Sequence, residues 1–295
     1  MGLSTQTPVG RGWINLARSA MELRHFSPRT EEAYVAWIRR FILFHQKRDP
    51  TLMGESEIQR FLSYLAQNLN VAASTQNQAL NALLFFYRHV LHANIGNLGN
   101  IARAHRPIRL PTVFSEAEVR RILAHMIGPE RLMASILYGS GLRLLECLRL
   151  RVKDLDFDSR QIIVRNGKGE KDRVSVMPAS LVGPLLNHLE AIKTLHISDL
   201  KNGFGAVSLP HALRRKYPAL AKELGWQFIF PSSKRTVEPN SGEECRHHVH
   251  ESVLQRAVHD AILRAGILKH GSCHTFRHSF AARRCARSKC RSPCR

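Results

Sequence analysis

Acidic side chains are scarce in this chain of 295 residues: 23 Asp and Glu stand against 44 Lys and Arg, leaving a formal net charge of +21. Such an excess favours a polyanionic partner, because each phosphate met by a Lys or Arg releases condensed counterions. The basic residues are spread along the whole chain instead of gathered on one helix face, which points to nucleic acid and away from a membrane surface. Long apolar runs are also missing. No stretch approaches the ~18 apolar residues that cross a bilayer. The opening MGLSTQTPVGRGW lacks the apolar core of a secretory signal. No membrane partner is expected, and the cytoplasm is the expected compartment. Nor is there a disulfide framework. Cys147, Cys245 and Cys273 are single and scattered, while Cys285, Cys290 and Cys294 crowd the tail. The scattered thiols are expected to be reduced and packed. No internal repeat is visible.

What is present supports two domains of ordinary size. Ile14, Leu16, Met21 and Leu23 suggest a first amphipathic helix. Ser27-Pro28-Arg29-Thr30 opens a second, with a stripe of Tyr34, Trp37, Phe41 and Phe44. Ser56 is read as the cap of a third, carrying Ile58, Phe61, Leu62 and Leu65. Ser74-Thr75 opens a fourth, with Leu80, Leu83, Leu84 and Tyr87. Residues 14–94 thus form a small helical bundle. Residues 95–112 hold Gly, Pro and the basic Arg103, Arg106 and Arg109, and read as a linker able to lie along a phosphate backbone. Ser115-x-x-Glu118 is a capping box that opens the second domain. Helices are expected to Met126 and over 130–151. VKDLDF, IIVRN and RVSVMP then form a three-stranded antiparallel meander, with turns at Asp158-Ser159 and Asn166-Gly167. Helices over 179–194, 250–265 and from 274 complete the pattern. Residues 196–245 are irregular apart from a short helix in HALRRKYPALAKEL.

Three short motifs carry chemistry. In YGSGLRLLECLRL, Arg143 and Glu146 lie three apart, and on a helix they would share a face. An Arg beside a buried stripe must be paired, and Glu146 is placed to orient it; a salt bridge serving structure alone reads the same way. In IIVRNGKGEKDRVSV, Lys168 sits between two Gly at a hairpin tip, suited to proton donation or a phosphate contact, or simply solvated. In CHTFRHSF, His274 and Arg277 share one side of a helix start, an anion site, while Phe276 and Phe280 bury the other.

Together and in this order, these motifs resemble the tyrosine recombinase (phage integrase) family, over about Ile14 to Ala281. The segments RTEEAYVAWIRRFILFH, STQNQALNALLFFYRHVL, LRVKDLDFD, LPHALRRKYP, WQFIFPSS and CRHHVHESVLQRAVHDAILRAGI resemble the integron integrases within it. The resemblance implies a mainly α fold with a small antiparallel sheet: a SAM-like helical core-binding domain at 14–94, then an α+β catalytic domain at 113–282 with an integron-type insert at about 196–245. It implies site-specific recombination of gene cassettes on duplex DNA and on folded single-stranded sites, in a synaptic tetramer. Arg143 and Arg277 would neutralise the scissile phosphate, a bidentate task suited to guanidinium. His274 would contact it and assist proton transfer, Lys168 would protonate the leaving 5′ oxygen, and Glu146 would buttress Arg143. Arg103, Arg106, Arg109, Lys171, Arg173, Arg214, Arg215 and Lys216 would bind DNA. No metal and no cofactor is implied.

The chain departs from the pattern after the last motif. The family's nucleophile is a Tyr beyond HxxR, yet the five Tyr here are Tyr34, Tyr64, Tyr87, Tyr138 and Tyr217, all upstream. RRCARSKCRSPCR (283–295) holds six Lys or Arg and no large apolar side chain, so it is expected neither to bury a face nor to fold. This suggests a truncated or frameshifted catalytic domain lacking its last helices, cleavage-deficient and impaired in tetramer assembly. A non-catalytic DNA-binding remnant and a type IB-like topoisomerase are the alternative readings.

Overall fold

The computed structural model describes residues 9–93, 110–165, 172–238 and 242–287. Two compact units divide the chain, Met1–Arg109 and Leu110–Arg295. Among the described residues no helix is long and apolar enough to cross a membrane. Most of the proposed linker, including Arg103, Arg106 and Arg109, lies outside them. So do the Asn166-Gly167 turn, Lys168, Lys171 and the tail from residue 288, with Cys290 and Cys294.

The first unit is four helices: α1 (Val9–Glu22), α2 (Pro28–Phe44), α3 (Glu55–Gln67) and α4 (Ala73–His89). Ser27 caps α2, its hydroxyl accepting from the Thr30 amide at 3.2 Å with Pro28 at the first helical position. Ser56 does not cap α3. The helix starts one residue earlier at Glu55, and the Gly54 amide and Ser56 hydroxyl both donate to Glu57 Oε2 at 2.8 Å. Glu57 reaching back supplies the cap that a Ser was expected to provide. Ile14, Met21, Trp37, Phe41, Phe61, Leu83 and Tyr87 are buried in one core. Leu16 and Leu23, expected on the buried stripe of α1, are 52% and 79% exposed instead. Among the described residues α1 contributes only Ile14, Ala17 and Met21 to the core, which is closed by α2 packing against α1, α3 and α4 together.

The second unit is organised around α6 (Gly128–Ser140). It packs against α5 (Glu116–Ala124), α7 (Leu144–Leu148), α8 (Ala179–Lys201), α10 (Glu251–Arg264) and α11 (Cys273–Arg287). Its core includes Met133, Ile136, Leu137, Leu148, Leu254 and Phe276. The Ser115–Glu118 capping box starts α5, with the Ser115 amide donating to Glu118 at 2.7 Å and the Glu118 amide to Ser115 at 3.2 Å.

The single helix expected over 130–151 is two. Gly141 ends α6 in the left-handed region, φ 65° and ψ 29°, and Arg143 is extended at φ −73°, ψ 157° before α7 begins. Only Gly fits at this corner: a Cβ on it would overlap the ring of Phe280. Strands β1 (Leu155–Asp156), β2 (Gln161–Val164) and β3 (Arg173–Val176) form the antiparallel meander, in register Leu155↔Ile162 and Val164↔Arg173. α8 runs to Lys201, past the expected end at 194. The following segment is less irregular than its Gly and Pro suggested. It holds α9 (His211–Lys216), 3₁₀ turns at Pro218–Lys222 and Leu224–Trp226, and the paired strands β4 (Thr236–Val237) and β5 (Glu244–Cys245). The 14-residue helix expected in HALRRKYPALAKEL is therefore a single α-turn and a half followed by 3₁₀ structure, because Pro218 cannot continue α9. Ala206, Val207, Leu209, Ala221, Phe228 and Cys245 give it a small core of its own.

α11 continues through residues 283–287, where no folded structure was expected. The Arg283 guanidinium lies over the Tyr138 ring, 4.6 Å from its centroid. A long Arg stem on an aromatic face substitutes for the missing apolar side chain.

Candidate functional site

The break after α6 brings Arg143 and Glu146 into a different relation from two residues on one helix face. Arg143 is the cap residue of α7 and Glu146 its third residue. The Arg143 amide donates to Glu146 Oε2 at 2.8 Å and its Nη1 to Oε1 at 2.6 Å. One carboxylate thus satisfies an orphan amide at the helix start and fixes the guanidinium of the same residue. From β3, Arg173 Nη2 donates to Glu146 Oε2 at 2.6 Å. From α11, Arg277 Nη1 stands 3.8 Å from the same oxygen and donates to the Gly141 carbonyl.

Glu146 is nearly closed off, its side chain 8% exposed, whereas Arg143, Arg173 and Arg277 keep 37%, 33% and 29%. Three cations around one anion leave two positive charges uncompensated, each guanidinium retaining a solvent-facing edge. Burial works to raise the Glu146 carboxyl. The Arg143 amide, the Arg143 guanidinium and Arg173 outweigh it and hold the group below the ordinary carboxylate value. Burial first, then neighbouring Arg143, lowers Arg277 from the usual guanidinium value. A guanidinium stays cationic at neutral pH even so. The arrangement can hold one tetrahedral oxyanion by several charge-assisted hydrogen bonds.

His274 is exposed on the first turn of α11, three residues before Arg277, with the His278 ring 6.4 Å away. Arg173, expected to bind DNA, is joined to Glu146 within the cluster. Arg214 is committed to Glu243 at 2.9 Å, whereas Arg215 and Lys216 beside it on α9 are exposed. Lys168 and Lys171, on the segment joining β2 to β3, lie outside the described residues, so their relation to the cluster is not part of the geometry.

Motif reading missed a cleft of about 520 Å³ that shares Glu146 with this cluster and is lined by Arg149, Lys153, Arg165, Trp226 and His248. Lys153 Nζ lies 2.8 Å from the centre of the Trp226 ring. Burial, then Arg165, pushes this ammonium down to about 8. Arg151 forms the floor: it donates to the Trp226 and Ser208 carbonyls at 2.6 and 2.8 Å, with Phe228 4.5 Å beneath its guanidinium. Basic and aromatic residues close together in sequence could have flagged half of this cleft, since Lys153 stands in LRVKDLDFD. Its other half comes from residues 208–248. Among the described residues no group of three or more His, Cys, Asp or Glu is arranged to hold a metal ion.

Residues 13–97 match the model of the phage integrase N-terminal SAM-like domain, and residues 112–287 that of the phage integrase family. An integrase/recombinase of Escherichia coli and one of Pseudomonas aeruginosa are each 46% identical to this chain over 268 residues, which cover 91% of it and 80% of them. Among solved structures, the recombinase XerH bound to palindromic difH substrate in a post-cleavage complex superposes with a TM-score of 0.58 at 19% identity, covering 94% of this chain and 74% of that one. That likeness is one of fold.

Proposed function

This chain belongs to the phage integrase family of tyrosine recombinases, and on that premise we propose that it acts on DNA recombination sites with the Glu146-centred cluster at the scissile phosphate. The observation that carries this reading is the convergence of Arg143, Arg173 and Arg277 from three separate elements on one buried carboxylate. A structural ion pair needs one cation; three, with two charges left facing solvent, suit an incoming phosphodiester. In the proposed roles Arg143 and Arg277 grip the non-bridging oxygens. His274 assists proton transfer from the exposed side, and Lys168 protonates the leaving 5′ oxygen. Arg215 and Lys216, with Lys171 and the basic 103–109 segment, add backbone contacts.

We further propose that the sites are those of integron cassettes, including folded single-stranded forms. The segments quoted above support this, as does the cleft between Lys153, Trp226 and His248, to which α9 contributes Leu213. A cation, an indole and an imidazole around one opening suit an unstacked base. The curated relatives are integrases and recombinases, which favours strand exchange between sites over relaxation by a topoisomerase.

No Tyr follows Arg277 in the sequence. A polypeptide of these 295 residues is therefore proposed to bind DNA without forming the family's phosphotyrosine link, since a missing nucleophile removes the covalent step itself. Incubation with a nicked suicide substrate tests this. Salt-dependent binding with no protein–DNA adduct is expected, and an adduct above background would show that one of the five upstream tyrosines attacks.

A further inference from the structure

The meander's third strand is attached to the phosphate cluster by one face only. Arg173 and Ser175 alternate with Val174 and Val176, and the two valines are 58% and 46% exposed. β3 lies at the edge of its three-stranded sheet. On its inner face, Ser175 Oγ donates to the Ser140 carbonyl at 2.5 Å, and Arg173 Nη2 donates to Glu146 at 2.6 Å. Ser140 directly precedes Gly141, whose own carbonyl receives Arg277, and Glu146 stands on α7 just beyond that corner. So two successive inward residues of β3 clasp the corner that carries Arg143 and on which Arg277, reaching from α11, is anchored.

The Glu146 carboxylate is where these strands of support meet. Its Oε2 takes the Arg143 amide and Arg173, its Oε1 takes Arg143 Nη1, and Arg277 waits at 3.8 Å. A carboxylate this buried keeps its charge only while its donors stay in place. Remove Arg173 and the next available cation is Arg277. Drawn onto Oε2, it would turn its fork away from the solvent-facing side where a phosphate must sit.

We propose that Arg173 is a positioning residue: it satisfies Glu146 so that Arg143 and Arg277 keep their solvent-facing edges for the phosphate, and it does not itself contact DNA. This rests on the reading of the cluster as a phosphate site. It differs from the expectation drawn from sequence, in which Arg173 was one more basic residue along a DNA-facing hairpin.

The test uses the full chain labelled with [¹³Cδ]glutamate, the Glu146 resonance being identified by its loss in Glu146→Gln. Arg173→Gln should raise the titration midpoint of that carboxyl by about one pH unit or more, and Arg173→Lys should restore most of it. Affinity for a fluorescein-labelled duplex, read by anisotropy, should fall about tenfold in Arg173→Gln. The loss should vanish in a Glu146→Gln background, because a residue acting through another has nothing to act on once that residue is gone. If the Gln variant does not fold, Arg173→Lys carries the test with a smaller shift in the same direction. An unmoved midpoint, or equal affinity losses in both backgrounds, would overturn the proposal and return Arg173 to a direct DNA contact. If Arg143→Gln leaves DNA binding unchanged while Arg173→Gln still moves the midpoint, the phosphate reading fails and the positioning of Glu146 stands.

Discussion

Replacing Gly141 with Ala puts the hinge of the cluster under strain from two independent sources. Its φ of 65° lies in the left-handed region, which costs an L-residue roughly 1–2 kcal/mol. The added Cβ would also fall 3.0 Å from Phe280 Cγ and closer still to the ring edge. Phe280 is on α11, held by Phe276 in the core on one side and by Arg277 at the Gly141 carbonyl on the other, so the ring cannot withdraw without moving the helix. Overpacking of this kind costs about 1–3 kcal/mol. The sum, roughly 2–5 kcal/mol, is a large part of the ~5–15 kcal/mol a domain holds. Amide hydrogen exchange of α6 and α10 peptides in the full chain reads the loss directly, as about 30-fold or faster exchange for core amides that open globally. DNA affinity should fall further than the folded fraction does, since Arg277 is displaced with α11. Exchange within about threefold of the parent would refute the reasoning, because it would mean that neither the left-handed backbone nor the Phe280 contact constrains this corner.

Arg151→Lys should free the 206–227 segment for limited proteolysis, because one ammonium cannot bridge the Trp226 and Ser208 carbonyls as the guanidinium does; unchanged cleavage rates would count against that staple. The Tyr87 hydroxyl is buried without a hydrogen-bond partner, so Tyr87→Phe should be neutral or stabilising by up to about 1 kcal/mol in thermal unfolding; a clear loss would reveal a partner. The Gly54 amide above all, with Ser56 and Arg60 outweighing burial, holds Glu57 at about 2. Its folded value lies below its unfolded one, so the stability it supplies is present above the ordinary carboxylate range and is lost as pH falls toward about 2. Glu57→Gln should flatten that acid limb when α3 is followed by hydrogen exchange. Gly12, exposed on α1 with open space around it, should accept Ala with a gain of up to about 1 kcal/mol in the first unit.

Local signals carried much of the architecture. Ser27-Pro28 and Ser115-x-x-Glu118 mark helix starts because capping is a transaction among four neighbouring residues, and the meander was legible because alternation and turn residues are local too. Ser56 misled for the same reason: a Ser near a helix start looks like a cap, and only the reach of Glu57 to the Gly54 amide decides otherwise. Arg143, Glu146, His274 and Arg277 were visible as motif residues. Their geometry was not, since Gly141 breaks a pattern whose apolar periodicity runs straight through 130–151. Periodicity records which residues face a core; it is blind to a single left-handed residue that turns the chain because a ring from α11, 139 positions later by 280 − 141, occupies the place of a Cβ. The placing of Arg173 on Glu146, and of Trp226 and His248 opposite Lys153, likewise joins residues far apart in the chain. By itself the sequence determined the helical and meander elements, the basic character and the set of chemically able side chains. Which of those side chains share one carboxylate was decided only when α6, β3 and α11 packed together, because that pairing depends on distances that no local pattern encodes.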